Sequence, residues 1–280
     1  MLTIAPASTV SPDALADCLN ATARRDPLVV PVDPQEVMAQ EAFVATADGL
    51  VVGVAWWRPV GKAREVEARV RPECRRKGVG QALLDHLSGA DEELLCSFDA
   101  GHPRARRFVE RRGFTLEGVV FFQRWDGLPA DVPRAFPSCT LHDGEDAGAA
   151  LDLLQTAHGA AWPPPVAAVA DLRRPEVLLR VARVEGRPAG VLVAWPAGDV
   201  WTIGGLAVLP ALRGRGVGRA LCCDLMGRAA EEGRGVVLRV HHADEGQQSW
   251  TAGLGFWTYR SWACYRRAAR AVAPRAAASS

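Results

Sequence analysis

The sequence predicts an α/β protein made of two successive copies of one fold, and three repeated landmarks predict it. A glycine pattern, R-x-x-G-x-G, stands at Arg75-Arg76-Lys77-Gly78-Val79-Gly80 and returns 138 residues later at Arg213-Gly214-Arg215-Gly216-Val217-Gly218. Ahead of each copy lies a hairpin pattern, Ala45 to Trp56 and Ala182 to Val193, whose turn glycines Gly49 and Gly186 are offset by 137. Behind each copy Arg112-Gly113-Phe114 parallels Leu254-Gly255-Phe256 at an offset of 142. Landmarks recurring in the same order at nearly constant spacing indicate a duplication, and 280 residues suit two domains of about 140 each.

The elements follow in order. Ser11-Pro12-Asp13 and Asp33-Pro34-Gln35-Glu36 open two helices, with proline at the first helical position. The hairpin is followed by a strand from Glu65 to Val70, a helix from Val79 to Ser88 with Val79, Leu83, Leu84 and Leu87 at helical spacing, and a strand from Leu94 to Phe98. A helix from Pro103 to Arg112 and a strand from Val119 to Arg124 complete the first copy, assigned to residues 1–125. Residues 126–138 hold three prolines and a glycine and read as a linker. The second copy takes residues 139–267, with Val217, Leu221 and Leu225 on its first long helix and Val236 to Val240 as a strand, and 268–280 is a disordered tail.

Each glycine pattern sits where a strand ending in Val-x-Pro (Val70-Arg71-Pro72, Val208-Leu209-Pro210) turns into a helix. Glycines there let backbone N–H groups approach a phosphate and aim the positive end of the helix at it, which suits a pyrophosphate. Any tight strand-to-helix turn also favours glycine, so one copy alone decides little.

Hairpin, Val-x-Pro strand, glycine turn, strand, second helix and Gly-Phe before a last strand pair resemble the GCN5-related N-acetyltransferase (GNAT) fold, twice in tandem, from about Leu2 to Arg267. The two-domain layout is similar to that of mycothiol synthase and of tandem acetyltransferases from antibiotic gene clusters. The resemblance implies an α/β (α+β) fold in which each copy is a mixed, mostly antiparallel sheet flanked by helices. It also implies acetyl-CoA as co-substrate, its pyrophosphate on the glycine turn and its thioester beside a backbone N–H of the preceding strand. Carried onto this chain, the cofactor positions are Val70, Arg75, Arg76, Lys77, Gly78, Val79, Gly80 and Gln81 in the first copy. In the second they are Ala207, Val208, Arg213, Gly214, Arg215, Gly216, Val217, Gly218 and Arg219.

Amide formation needs the amine deprotonated, the oxyanion stabilised and the thiolate released. Many family members place a tyrosine as general acid four residues before the Gly of Gly-Phe; here that position is Val109 in the first copy and Thr251 in the second. Thr251 offers only a weak hydroxyl, and a thiolate of pKa about 8.5 leaves tolerably without an acid. For the base, His241 and His242 close the strand Val236 to Val240, and His241 shares the face of Arg239, where related enzymes carry a carboxylate. His241 is therefore the candidate base, and Arg239 a candidate for holding an anionic group of the substrate. Solvated strand-end residues would look the same. The first copy offers Asp99, His102, Glu65 and Glu67, for which solvated carboxylates are the simpler account. Trp162, in Ala161-Trp162-Pro163-Pro164-Pro165, stands where the family lines its acceptor cleft. It is a candidate substrate wall or a surface loop packed on its own indole.

With 33 basic and 32 acidic residues the chain has no footprint for nucleic acid or an anionic membrane. Lys62 and Lys77 are the only lysines, which with abundant alanine and glycine suggests a GC-rich bacterial genome. The start lacks a secretion signal, and no run approaches the ~18 apolar residues of a membrane span. Seven scattered cysteines form no metal pattern, so the expectation is reduced thiols, no metal and a cytoplasmic protein. The tandem copies can stand in for a dimer, so a monomer is expected. The function expected is acetyl transfer from acetyl-CoA to the amine of a small molecule, with chemistry in the C-terminal copy. The alternatives are a catalytically weak CoA-binding module and an acyltransferase using another donor.

Overall fold

The computed structural model describes residues 1–25, 32–87, 92–128, 131–132, 139–143, 147–158 and 174–269. The chain divides into two compact units, Met1–Val119 with Ser261–Ser280, and Val120–Arg260.

In unit 1 the strands are β1 (Leu2–Pro6), β2 (Glu41–Ala47), β3 (Leu50–Val60), β4 (Ala63–Val70) and β5 (Leu94–Asp99). The helices are α1 (Pro12–Arg25), α2 (Pro34–Met38), α3 (Val79–Leu87) and α4 (Pro103–Glu110). Both expected proline starts hold. Ser11 Oγ accepts from Ala14 N–H at 3.2 Å, and Asp33 caps α2 by accepting from Gln35 N–H at 2.9 Å. Leu15, Cys18 and Leu19 give α1 an apolar stripe that packs on Val44, Val54 and Trp56 of the sheet. On the other face α3 brings Val79, Leu83, Leu84 and Leu87 against Val52, Ala55 and Val66.

Two strands close the chain halves, β6 (Thr115–Trp125) and β12 (Trp257–Arg267). Unit 2 also holds β7 (Thr140–Asp143), β8 (Leu178–Val184), β9 (Arg187–Ala197), β10 (Val200–Val208), β11 (Gly235–His241), α5 (Ala147–His158), α6 (Val217–Glu231) and α7 (Glu245–Ala252). Helix α6 packs Leu221, Cys222, Leu225 and Met226 on one sheet face, and α5 packs Ala150, Leu154 and Ala157 on the other. Both units are mixed, mostly antiparallel sheets flanked by helices; β4 with β5, and β10 with β11, are their parallel pairs.

The last strands differ from the sequence expectation. Each copy has one strand after its Gly-Phe, and each strand serves the other copy's sheet. In unit 1, β5 is flanked by Ser261–Arg267 of β12, with Trp262 opposite Asp99 and Arg267 opposite Leu94. In unit 2, β11 is flanked by Val120–Trp125 of β6, with Trp125 opposite Val236 and Val120 opposite His241. The compact units thus depart from residues 1–125 and 139–267 by this exchange.

The hairpins explain how the glycine turns are set. Val52 and Ala189 are extra residues in bulged ladders, and their carbonyls accept the N–H of Arg71 and Leu209, the residues just after β4 and β10, both at 2.9 Å. A Cβ on Gly53 would stand 2.9 Å from Val79, and one on Gly190 would stand 2.7 Å from the Ala207 carbonyl, so glycine lets strand and helix close on each other.

Candidate active site

Each unit opens its sheet at the same place. β4 pairs with β5 only at Arg64↔Leu94 and Glu65↔Leu95, and β10 with β11 only from Val200↔Gly235 to Thr202↔Val237. Beyond those pairs the parallel strands part while running on to Val70 and Asp99, and to Val208 and His241. The glycine turn follows immediately, so strand backbone groups released from pairing lie beside a helix start.

The turns have matching backbones. Gly78 and Gly216 have φ of +83° and +81°, and Gly214, at +75°, has Arg76 as counterpart at +68°, a conformation costly for a residue with a Cβ. Gly216 caps α6 without a side-chain bond, and helical bonding begins with Ala220 N–H to Gly216 C=O at 2.9 Å. The earlier N–H groups are the orphan donors of a helix start. Arg76, Lys77 and Arg215 are exposed around these ends, and Gly80 and Gly218 open toward the rings of Phe108 and Trp250, 3.5 and 3.6 Å from where a Cβ would stand. These residues fit a pyrophosphate with an apolar tail.

Other cofactor positions have structural duties. Val79, Val217 and Ala207 are core side chains, so only their backbones can serve. Val70 and Val208 end their strands half-buried, and Arg219 is half-buried on α6. The first arginine of each motif braces the turn: Arg75 Nε and Arg213 Nε donate to the carbonyls of Val70 and Val208, both at 3.2 Å. Gln81 Nε2 donates to Asp85 at 2.6 Å along its own helix.

The acid position is corrected. Thr251 is fully buried, and its hydroxyl donates back to the carbonyls of Gln247 and Gln248 at 2.9 and 3.0 Å. It is a core residue bonded to its own helix rather than a group facing the opened strands. Val109 is buried as well. The aromatic partner of each second glycine lies one residue earlier, at Phe108 and Trp250. That aromatic pair at the 142-residue offset was the available sequence signal.

His241 is exposed at the end of β11, but its Nδ1 accepts from Ala243 N–H at 3.3 Å, which puts the proton of the neutral ring on Nε2. Its ring stands 4.6 Å from that of His242. Asp99 does the same for Gly101 N–H at 2.9 Å; His102 and Asp244 cap α4 and α7 at 3.3 and 2.8 Å. Arg239 is exposed on β11 opposite Phe122. Glu65 accepts from Ser97 Oγ at 3.0 Å and Arg58 Nε at 2.7 Å, and Glu67 pairs with Arg69 at 3.1 Å, so both carboxylates are partnered. Trp162 lies outside the described residues.

Unit 2 has one feature that the β3–β4 ladder lacks. The β9–β10 register passes from Ile203↔Ala194 to Gly205↔Val193, which leaves Gly204 as a bulge where β10 is parting from β11. The Trp195 ring lies across Gly204, 2.1 Å from where a Cβ would stand, so no other residue fits without moving it. The glycine inside a strand was the signal for it.

Burial makes several of the thiols poor nucleophiles. All seven cysteines are free; burial pushes Cys18 up to about 11 and Cys96 up to about 12, and raises Cys222 too. Among the described residues no three metal-ligating side chains cluster, and no helix is long and apolar enough to cross a membrane.

Comparisons with known proteins agree with this geometry. Residues 39–116 match the family described as acetyltransferase (GNAT) domain, and residues 148–256 the acetyltransferase (GNAT) family. Comparison with curated protein sequences finds no match. Among solved structures, a GCN5-related N-acetyltransferase from Sphaerobacter thermophilus is similar with a TM-score of 0.74 at 20% identity, over 95% of each chain. A tandem GNAT protein from the clavulanic acid biosynthesis pathway gives 0.75 at 19%, over 96% of this chain and 99% of that one. A GCN5-related N-acetyltransferase from Kribbella flavida gives 0.58 at 18%, over 97% and 72%. With the paired glycine turns and parted strands, these matches show that the chain carries two GNAT domains in tandem and belongs to the GNAT family of acyltransferases.

Proposed function

We propose that the protein transfers an acetyl group from acetyl-CoA to the amine of a small molecule, and that the chemistry takes place in the C-terminal unit. The observation that carries the choice of unit is the bulge at Gly204. An acyl transfer needs donors aimed where the thioester oxygen becomes negative. A bulge beside parted strands supplies backbone groups that the ladder does not use.

The turn of Gly214 to Arg219 would hold the pyrophosphate through helix-start N–H groups and Arg215. Arg239 and His241, exposed on β11, would face the arriving amine. An alkyl amine, with a pKa near ~10, must lose a proton before its nitrogen attacks the acyl carbon. His241 can take that proton only by giving up Ala243 N–H, a bond worth about 1 kcal/mol, so its share is modest. As the C–N bond forms the C–S bond breaks, and the thiolate leaves without a side-chain acid. The balanced charge favours a small molecule over nucleic acid or membrane, and seven free thiols suit a reducing, cytoplasmic setting for a monomer.

The second reading, a CoA-binding module of weak activity, is favoured by the burial of both Val109 and Thr251. Thiol release from acetyl-CoA, measured with alkyl amines, aminoglycosides, amino acids and amino sugars, separates the two. Turnover abolished by Gly218→Glu and kept by Gly80→Glu supports the proposal, and the reverse pattern moves the chemistry to the N-terminal unit. Calorimetric CoA binding without release for any amine favours the module.

A further inference from the structure

Arg213, assigned to the cofactor by its place in the motif, makes its strongest contact elsewhere. While Nε holds the Val208 carbonyl at 3.2 Å, Nη2 donates to the carbonyl of Ala157 at 2.7 Å. Ala157 lies in the last turn of α5, where carbonyls lack helical partners and a cation is favoured. One guanidinium therefore ties together the end of β10, the start of the glycine turn and the C-terminal turn of α5. Helix α5 also meets the site through Leu154, whose Cδ2 lies 3.1 Å from where a Cβ on Gly205 would stand, next to the bulge. Ala157 and Leu154 are both buried, so α5 is seated at these two points. In unit 1, Arg75 Nε likewise holds its own strand's carbonyl, at Val70, and α1 is tied through Asp17 to Arg71, whose counterpart in unit 2 is Leu209.

We infer that Arg213 is a positioning residue that couples occupancy of the C-terminal glycine turn to the seating of α5, so that binding of a CoA pyrophosphate firms the helix packed beside the bulge. The inference rests on the proposed cofactor role of this turn. An anion bound to the N–H groups of residues 214–219 fixes the backbone that begins at Arg213. That fixes the guanidinium, and with it the Ala157 carbonyl. Linkage makes the effect reciprocal: whatever seats α5 must tighten CoA binding by the same factor. Lysine keeps the charge but cannot span two carbonyls with a planar fork.

The test is amide hydrogen exchange of residues 151–157 in the full chain, with and without saturating CoA, beside calorimetry of CoA binding. CoA should slow exchange there by about fivefold or more in the wild type, within the usual range of such coupling. Arg213→Lys should still bind CoA at both turns, weaker at the C-terminal one by no more than the coupling factor itself, and lose most of the slowing. Arg75→Lys should keep it. Thermal unfolding of Arg213→Lys checks that the variant is folded, and CoA-dependent exchange at residues 217–221 serves as an internal reference. Slowing in 151–157 that survives Arg213→Lys, or wild-type α5 that ignores bound CoA, overturns the coupling and leaves the cofactor site standing. No calorimetric binding of CoA that Gly218→Glu removes overturns the site reading, and the coupling falls with it.

Discussion

The exchanged strand makes a demanding prediction: Tyr265, 15 residues before the end of the chain, should hold together the unit that begins at Met1. Tyr265 is 2% exposed, stacks on Phe98 with ring centroids 5.3 Å apart and an interplanar angle of 11°, and lies in register opposite Cys96 of β5. Truncating a buried aromatic to alanine typically costs about 3 to 5 kcal/mol, with the stacked pair included in that figure. A domain of this size has only some 5 to 15 kcal/mol in hand. Tyr265→Ala should therefore lower the urea midpoint of unit 1 markedly. Hydrogen exchange should show the loss in β5 (residues 94–99) and α3, while β8, β9 and α6 stay protected. The fragment 1–125 goes further, since it loses all six register pairs from Trp262↔Asp99 to Arg267↔Leu94 and leaves β5 as an open edge. It should be aggregated or unfolded, and the fragment 139–280 on its own should not form unit 2 either, because that unit needs Val120–Trp125. A soluble, monomeric 1–125 fragment with a cooperative transition like that of the full chain would refute the exchange, as would Tyr265→Ala damage confined to unit 2.

Four further outcomes follow. Gly80→Glu and Gly218→Glu leave room for a Cβ at ordinary contact distance, so both should fold; each should remove one of two CoA sites, lowering affinity there at least ~100-fold through a carboxylate set against phosphate, and a calorimetric stoichiometry unchanged by either would count against the turns. Thr251→Val should alter kcat less than about threefold, because its hydroxyl bonds only carbonyls of its own helix, and a loss of a hundredfold would restore it to the mechanism. His241→Ala should lower kcat/KM about tenfold, short of the ~10²–10⁴ of a dedicated base, with the deficit shrinking as pH rises and free amine accumulates; a thousandfold loss would make it the base. The hydrogen bond and charge of Arg71 hold the Asp17 carboxyl below its usual range, so the stability this pair gives is present above the unfolded value near ~3.9 and is lost as pH falls through the folded one. Exchange in α1 should therefore rise below about pH 4 in the wild type and show no such step in Asp17→Asn, and an identical acid profile in both would dismiss the pair.

What was legible in the sequence was local. The glycine turns, the hairpin glycines and the proline-led helices each follow from a few adjacent residues whose backbone demands are strict, and they stand where expected. The faces of side chains were harder. Counting helical positions put Thr251 at the family's acid position, but its burial depends on how α7 packs on a core drawn from five strands. Arg213 was read as a phosphate ligand because the carbonyl it bonds, in Ala157, lies 56 residues away in sequence. The Gly204-Gly205 pair was in plain view, yet a bulge is defined by the partner strand, and only the β9 register reveals it.

The strand exchange was out of reach for a related reason. β6 and β12 have the same length of 11 residues and follow equivalent Gly-Phe corners, so period-two alternation fits either of them beside β5 or β11. The choice is made by what faces inward. Ala263 and Tyr265 of β12 fill the core containing Leu83, Leu94 and Phe98, while Trp125 of β6 fills the one containing Leu225, Val236 and Phe256. Tyr265 finds a ring to stack on at Phe98, whereas β11 carries no Phe, Tyr or Trp along its length. Charge adds to the selection, since Arg266 meets Glu93 at 2.6 Å and Glu117 at 2.7 Å in unit 1, while Arg124 meets Asp126 at 2.5 Å and Asp199 at 2.9 Å in unit 2. These exposed and half-exposed pairs are each worth at most about 1 kcal/mol, so they refine a register that the aromatic packing decides. A Tyr265→Leu variant, which keeps the apolar burial and gives up the stack, should therefore hold the exchange and cost less than Tyr265→Ala.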